Sequence, residues 1–240
     1  MTTTLFKTLG AATTLAGMIV TAGSANAASI SYDSSTNFQL TNISNAPLSV
    51  QKFDSSLGTL NSVTLTFTGD LEGSARFENL GASSTPITVN LAGQLGLIFA
   101  GQSLFSINPQ ETYPQDSSGY QVGAFDGTID FAGTSGKTIQ GLTAQKSETQ
   151  SFTDAQFLQA FTGTGNLDFL FSALATSTVS GSGNMISQIT TLAKAGVKVT
   201  YDYDPAQSVP EPSAALGFGL VAGVGLLSQR KKNWLKTSHS

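Results

Sequence analysis

Cysteine is absent from this chain of 240 residues, and the single histidine, His239, lies next to the last residue. The lack of cysteine excludes disulfide bonds, thiolate nucleophiles, cysteine zinc sites and a lipid-modified N-terminal cysteine. With no histidine before position 239, neither a Ser-His-Asp triad nor a histidine-ligated metal can be built. Only carboxylates and hydroxyls are available for catalysis, and we expect a protein that is not an enzyme and needs no cofactor.

Charge is also scarce, because Asp, Glu, Lys and Arg make up only 11% of the chain, whereas serine and threonine number 30 each. Within residues 28–208, six basic side chains stand against fourteen acidic ones, a net charge of −8. An acidic body whose basic residues are scattered is a poor match for nucleic-acid phosphates. We therefore expect no nucleic-acid partner.

The first 27 residues have the three parts of a secretory signal peptide. Lys7 supplies the positive start, Leu9–Ala22 is an apolar run, and Ala25 and Ala27 give the small-x-small pattern that precedes cleavage. The sequence therefore predicts export, with signal peptidase cutting after Ala27. An uncleaved N-terminal anchor is the alternative.

Residues 209–234 form a second segment that is typical of targeting rather than of a folded domain. In order, it contains Val209, Pro210, Glu211 and Pro212, the uncharged stretch Ala214–Leu227, and the basic residues Arg230, Lys231 and Lys232. As a helix, the uncharged stretch would extend about 21 Å, which is short of the roughly 30 Å of bilayer hydrocarbon. We expect it to cross the inner membrane with tilt, leaving 28–208 outside and 235–240 as a cytoplasmic tail.

This order of Pro-Glu-Pro, marginal helix and basic cluster resembles the PEP-CTERM sorting signal. The resemblance implies processing near Pro210–Pro212 by an exosortase-type membrane enzyme, in bacteria that make exopolysaccharide. It also implies a final location at the cell surface or in the extracellular biofilm matrix, after anchoring in transit. A plain C-terminal membrane anchor is the alternative.

Between these ends, residues 28–208 are long enough for one domain, and their apolar residues alternate with polar ones. Val63, Leu65 and Phe67 alternate with threonines and a serine ahead of a turn predicted at Gly69-Asp70. The same period of two occurs at Ile87, Val89 and Leu91 and at Val197, Val199, Tyr201 and Tyr203. One-sided strands at short spacing predict an all-β, antiparallel, jelly-roll-like β-sandwich.

One short helix interrupts the strands. Thr153-Asp154-Ala155-Gln156 reads as a capping box, and Gly163 stops the helix. Phe157, Leu158 and Phe161 are expected to contact the core.

Three stretches of this body resemble the choice-of-anchor E domain, a bacterial surface domain. They are 53–69 with Glu78-Asn79-Leu80, 161–165 with 180–184, and Val199-Thr200-Tyr201-Asp202-Tyr203-Asp204-Pro205. The resemblance implies a surface location and a β architecture, and it transfers no site residues.

Two acidic pairs are the strongest candidates for Ca²⁺, a common extracellular ligand of oxygen donors. They are Asp126 with Asp130, and Asp202 with Asp204. Neither lies in an EF-hand or β-roll motif, so solvated charge is the simpler interpretation. A glycosidase carboxylate pair is a further alternative, but the sequence shows no aromatic-lined groove around either pair.

The segment 108–120 is expected to be the longest irregular loop and is the candidate binding site. Tyr113 and Tyr120 could contact a sugar with their rings, with Gln110, Glu111 and Gln115 as hydrogen-bond partners. A surface loop whose tyrosines cover a sheet edge is the alternative.

A row of threonines, Thr64, Thr66 and Thr68, is the kind of feature that ice-binding surfaces use, but it is also ordinary strand composition. The sequence thus favours an exported structural or interaction protein of the cell surface or matrix. A polysaccharide-binding module acting through 108–120 is the second hypothesis.

Overall fold

The structure is a computed structural model that describes residues 12–19 (backbone only), 27–181 and 183–206. Within them the chain forms a 3-10 turn at Ser55–Leu57, the helix α1 (Ala155–Phe161) and thirteen strands. The strands are β1 (Ala12–Ile19), β2 (Ala28–Ser35), β3 (Gln39–Leu40), β4 (Ile43–Gln51), β5 (Gly58–Asn79), β6 (Thr85–Phe99), β7 (Gln102–Ile107), β8 (Gln110–Tyr113), β9 (Tyr120–Val122), β10 (Gly136–Phe152), β11 (Asn166–Ala175), β12 (Thr178–Ser180) and β13 (Met185–Pro205).

These strands form two antiparallel sheets. Sheet A has the order β1-β2-β13-β5-β10, with β3 also paired to β13. Sheet B has the order β12-β6-β11-β4, and β7, β8 and β9 each pair with part of β6. The all-β, antiparallel character predicted from the alternation is therefore confirmed.

The centre of sheet A is an unusually long pair of strands. β5 has 22 residues and β13 has 21, and their register runs from Met185 opposite Asn79 to Pro205 opposite Gly58. The predicted alternations lie in this pair and in β6, with their apolar members buried as expected. The turn predicted at Gly69-Asp70 is wrong, because β5 continues through both residues.

Gly69 interrupts the sequence pattern because of packing rather than because of a turn. A Cβ at this position would lie 2.5 Å from Leu95 Cδ2 and 3.0 Å from Ile107 Cδ1. Two side chains of sheet B therefore occupy the space that any larger residue at position 69 would need. The glycine marks a close approach of the two sheets, which is a common reason for glycine inside a strand.

The inner faces of the two sheets share one aromatic core. Phe67 of sheet A lies 5.8 Å from Phe105 and 6.4 Å from Phe171 of sheet B, measured between ring centroids. At one end of the core, the buried Tyr201 of β13 donates a hydrogen bond of 2.8 Å to the carbonyl oxygen of Gln51 on β4. Apolar burial and this hydrogen bond thus join the two sheets.

The short helix α1 forms as predicted, with one change at its start. Asp154, rather than Thr153, is the N-cap, and its side chain accepts hydrogen bonds from the backbone N–H groups of Gln156 and Phe157. A carboxylate at this position bonds the free amides of the first turn. Phe161 is buried, and Phe157 and Leu158 pack against the core, which confirms the predicted apolar face.

The segment 108–120 is more regular than predicted. Gln110–Tyr113 form β8, which pairs with β6 so that Tyr113 lies opposite Val89. Tyr120 opens β9, opposite Ile87. The irregular part is thereby reduced to residues 108–109 and 114–119.

Most of the predicted targeting residues lie outside the residues that the structure describes. These are Ala25 of the cleavage pattern and Val209, Pro210, Glu211, Pro212, Arg230, Lys231 and Lys232 of the sorting signal. Ala27 is exposed and directly precedes β2, and the backbone of 12–19 pairs with β2 as β1. Across the described ranges, no helix has both the length and the apolar character that crossing a membrane requires.

Candidate functional site

An open groove of about 590 Å³ lies where β8 approaches the edge strand of sheet A, β10. It collects polar side chains from distant parts of the sequence together with two aromatic rings. The lining residues are Phe38, Asp70, Leu71, Glu72, Glu111, Tyr113, Gln115, Thr143, Ala144, Gln145 and Lys194. Three of them, Glu111, Tyr113 and Gln115, belong to the loop that the sequence singled out.

Tyr113 is held in place by the backbone of β10. Its hydroxyl donates to the carbonyl oxygen of Thr143 at 2.7 Å and accepts from the Thr143 backbone N–H at 3.0 Å. One side chain therefore satisfies both backbone groups of an edge residue, which would otherwise need water. The ring of Tyr113 is fixed as a wall of the groove before any ligand binds.

Three carboxylates face this groove. Asp70 and Glu72 lie on the outer face of β5, and Glu111 lies on β8. Side-chain amides bind two of them, because Gln145 Nε2 donates to Asp70 Oδ1 and Gln115 Nε2 donates to Glu111 Oε1 at 3.3 Å. Each carboxylate keeps further lone pairs that can accept hydrogen bonds from a ligand.

One cation balances part of this charge. Lys194 of β13 lies in register with Asp70 of β5. Its ammonium nitrogen is also 5.8 Å from the centroid of the Phe38 ring, within cation–π range. The groove thus combines acceptors, donors and aromatic faces, with an excess of negative charge.

Tyr120, the second tyrosine proposed from the sequence, lies elsewhere. Its ring is 6.1 Å from the Phe77 ring and 5.2 Å from the Lys137 ammonium nitrogen. Burial is the main reason why the pKa of Tyr120 is raised above its ordinary value. The structure therefore brings only Tyr113 of the two tyrosines to the groove, and Tyr120 covers the core at β9.

Three of the four carboxylates considered for Ca²⁺ accept hydrogen bonds from neighbouring residues of this chain. Asp126 accepts from the Thr128 backbone N–H at 3.1 Å, which is the main reason why its pKa is lowered, and Asp130 accepts from the Ala132 backbone N–H at 2.9 Å. Asp202 accepts from Ser62 Oγ at 3.0 Å. Within the described part of the chain, no group of three or more Asp, Glu, His or Cys residues is placed to hold a metal ion.

The threonine row is part of a wider hydroxyl surface on the outer face of sheet A. Each threonine hydroxyl bonds to one on β10, and a further pair joins β2 to β13. The hydroxyl pairs are Thr64 with Ser151, Thr66 with Thr149, Thr68 with Ser147, and Ser31 with Thr200, at 2.7–2.9 Å. Asp70 and Gln145 are the next residues on this face after Thr68 and Ser147, so the hydroxyl surface leads directly to the groove.

Sequence reasoning missed a second polar site, which is buried. Glu78, at the end of β5, is fully buried, and its carboxylate accepts from Ser135 Oγ and from the Phe131 backbone N–H at 2.7 Å. The adjacent Asn79 donates to the carbonyl oxygens of Ser83 and Gly123. An acid and an amide side by side between Phe77 and Leu80 were the only sequence signal of this site.

Comparison with known proteins adds little to this description. No family model and no curated protein matches the chain. Among the matching solved structures, the infectious bursal disease virus Gx strain is 13% identical to this chain, with a TM-score of 0.13. The IBDV T13 viral particle is 10% identical, with a TM-score of 0.15. The T=1 particles derived from infectious bursal virus are 13% identical, with a TM-score of 0.12. In the same order, the alignments cover 79%, 86% and 83% of this chain but only 49%, 47% and 49% of the viral chains. This chain therefore spans about half the length of the viral chains. Scores this low support no conclusion about function.

Proposed function

We propose that this chain is an exported interaction protein of the bacterial cell surface or extracellular matrix, and that its groove binds a polysaccharide. One observation carries the second part of the proposal. Glu111, Tyr113 and Gln115, which were selected from the sequence as sugar-contacting residues, line one groove with further carboxylate, amide and aromatic side chains. This is the set of groups that a sugar needs.

The chemistry of the groove fits a sugar chain in two ways. A pyranose has apolar faces that can lie on a fixed ring such as Tyr113, and hydroxyls that exchange hydrogen bonds with carboxylates and amides. The groove is also open, so a polymer can pass through it without presenting an end. Three carboxylates against one ammonium favour neutral or amino sugars over uronic acids, because like charges repel.

The route to the surface is proposed from the two ends of the sequence. Signal peptidase would cut after Ala27, and an exosortase-type enzyme would act near Pro210–Pro212 while the stretch Ala214–Leu227 lies in the inner membrane. The single transmembrane helix and the PEP-CTERM and choice-of-anchor E assignments are part of this proposal. They rest on residue patterns alone.

Binding is tested by affinity electrophoresis of the chain in gels that contain a neutral, an amino or an acidic polysaccharide. We expect retardation by a neutral or amino polymer. Glu111→Gln should weaken this retardation by about five- to tenfold, since a hydrogen bond to a charged acceptor contributes about 1.5–3 kcal/mol and one to a neutral acceptor about 0.5–1.5 kcal/mol. The matched control is Glu148→Gln, because Glu148 is exposed on β10 and does not line the groove.

Equal retardation of Glu111→Gln and Glu148→Gln would overturn the groove as the binding site. Absence of retardation by every polymer would overturn polysaccharide binding altogether. Release of reducing sugar that a single Asp70→Asn change abolishes would instead identify a hydrolase.

Export and sorting are tested by the intact mass of the protein from native cells and medium, captured through a tag inserted at Gly127. Gly127 lies in an exposed loop with open space around it. We expect a form that starts at Ala28 and ends near Val209–Pro212. A membrane-bound form that retains Trp234 would contradict exosortase-type processing and leave a plain anchor.

A further inference from the structure

The two outer strands of the mature sheet A differ in how their free edges are protected. In β10, the register shifts between Ile139 and Leu142, and Gly141 has a positive φ of 70°. Further along, the exposed Lys146 and Glu148 fall on the same side of the strand as the core residue Leu142. A bulge and inward-pointing charges are devices by which natural sheets block the addition of another strand.

β2 has neither device. Ala28–Ser35 contains no lysine, arginine or proline, and its pairing with β13 runs from end to end without a shift. Its outer edge carries β1 in antiparallel pairing, from Ala12 opposite Ser35 to Ile19 opposite Ser29. The edge of β2 is therefore open to an antiparallel strand and accepts one in this structure.

The strand on that edge belongs to the segment that export would remove. β1 lies within residues 1–27, so cleavage after Ala27 makes β2 the first strand of the mature chain and leaves its edge without a partner. The inference that follows rests on the export part of the proposed function. It is independent of polysaccharide binding.

We propose that a second copy of the mature chain pairs its own β2 with this edge, antiparallel and about a two-fold axis at Ser31. Such a pairing joins two five-stranded sheets, each without β1, into one continuous sheet. Its two-fold symmetry is the commonest symmetry in assemblies of identical subunits. The resulting dimer would extend the hydroxyl surface, through Ser31 and Thr200, from one copy to the other.

The residues of β2 are complementary to themselves in this register. When Ser31 of one copy lies opposite Ser31 of the other, Ser29 of each copy lies opposite Asp33 of the other on the outer face. On the inner face Ile30 lies opposite Tyr32. Pairs of hydroxyl with carboxylate and of aliphatic with aromatic residues are favourable cross-strand neighbours.

Other registers are less favourable. An axis at Asp33 would place two carboxylates opposite each other, which is destabilising. An axis at Tyr32 would place the two Tyr32 rings opposite each other, but it would place the apolar Ile30 opposite the polar Ser34 twice, so only one apolar pair would replace two. Because each mature domain carries excess negative charge, the association should strengthen with salt, which screens repulsion over about 8–10 Å.

The absence of cysteine from the chain allows a direct test by disulfide trapping. We would express the full chain with Ser31→Cys in a Gram-negative host and analyse the exported protein on non-reducing gels. Residues directly opposite in an antiparallel pair have Cβ atoms about 4.5–5.5 Å apart, close to disulfide spacing. We expect a covalent dimer that reductant dissolves.

Two matched controls distinguish the pairing from random collision. Ser35→Cys lies on the same strand and face, but two copies of Ser35 would be about 27 Å apart in the proposed register, at 3.4 Å per residue. Thr149→Cys lies on the same face at the protected edge of sheet A. We expect each control to give less than about one tenth of the dimer formed by Ser31→Cys, because neither meets the geometry of a disulfide.

Two results in protein that begins at Ala28 would overturn the inference. One is an equal yield of covalent dimer from all three cysteine variants, and the other is no covalent dimer from any of them. A disulfide adduct between Ser31→Cys and a different protein would also overturn it, since the occupant would then not be a second copy. Protein that still begins at Met1 would contradict export, which is a failure of the proposed function and is distinguished by mass. A folded β-sheet signal in circular dichroism for each variant excludes misfolding as the cause.

Discussion

Two groups of acidic side chains in this domain have opposite surroundings. Glu78 is buried at the end of β5 and bonded by Ser135 and the Phe131 amide, whereas Glu72 and Glu111 line an open groove. A buried carboxylate must be paired with donors to offset its lost hydration. An exposed carboxylate keeps acceptor capacity for a ligand. The comparison indicates that Glu78 stabilises the fold and that the groove acids are available for binding.

The largest expected effect is a difference in the free energy of unfolding between variants of the buried carboxylate and variants of the groove carboxylates. Glu78→Ala removes the acceptor of two buried donors, and we expect it to lower the free energy of unfolding by about 3 kcal/mol. Glu111→Ala should change it by less than about 0.5 kcal/mol, as is usual for exposed sites. Urea denaturation followed by fluorescence measures both, and equal losses would break the comparison.

A second buried polar group should behave like Glu78, with a smaller effect. Tyr201→Phe leaves the Gln51 carbonyl oxygen without its hydrogen-bond donor, and we expect a loss of about 1–2 kcal/mol in the same assay. Tyr203→Phe, on the same face of β13, keeps that hydrogen bond and serves as the control. Greater loss in the control would contradict the role assigned to Tyr201.

The dependence of stability on alkaline pH is a second test of the same tyrosine. Burial raises the pKa of Tyr201 well above its ordinary value of 10.0. Because the folded-state pKa exceeds the unfolded one, its contribution is complete below about pH 10 and is lost as the pH rises further. We expect stability to fall above pH 10 in the wild type and more gently in Tyr201→Phe, measured as the urea midpoint against pH.

Asp154 is an exposed carboxylate that caps α1, and we expect its removal to have an intermediate effect on stability. Asp154→Ala removes the acceptor of two backbone N–H groups at the start of α1, and we expect a loss of about 1 kcal/mol. Asp154→Asn retains a capping oxygen and should be close to the wild type in the thermal midpoint. Similar losses for both variants would show that capping is not the cause.

The smallest effect is expected on the hydroxyl surface. Thr66→Val keeps the β-branched shape but removes the hydroxyl bonded to Thr149, and we expect a change within about 0.5 kcal/mol because water can replace that bond. Thermal denaturation would show it. A loss of stability as large as that of Glu78→Ala would show that the hydroxyl surface stabilises the fold as strongly as the buried carboxylate does.

Local sequence pattern was sufficient for the strands with clear alternation and for the short helix, but not for β8 and β9. The alternation at Val63, Leu65 and Phe67 identified a buried strand face, and the apolar spacing after Asp154 identified the helix. The same reasoning placed a turn at Gly69, because a glycine that admits Leu95 from the facing sheet looks the same in sequence as one that turns the chain. Packing between distant segments decides such cases.

The groove could be predicted only in part for the same reason. Glu111, Tyr113 and Gln115 are neighbours in sequence and were found together. Asp70 and Lys194 join them only through the register of β5 and β13, which no local pattern determines. Glu78 was missed because a single acid in a strand does not reveal which loop will supply its donors.

The length of the central strands has a mechanical consequence. Lys194 lines the groove, and β13 continues from there to Pro205, about 37 Å away at 3.4 Å per residue. If a polymer held in the groove is pulled against a tether beyond Pro205, the force runs along β13. The hydrogen bonds that join this strand to β5 and β2 are then loaded in shear and resist together, whereas a perpendicular pull would open them one after another.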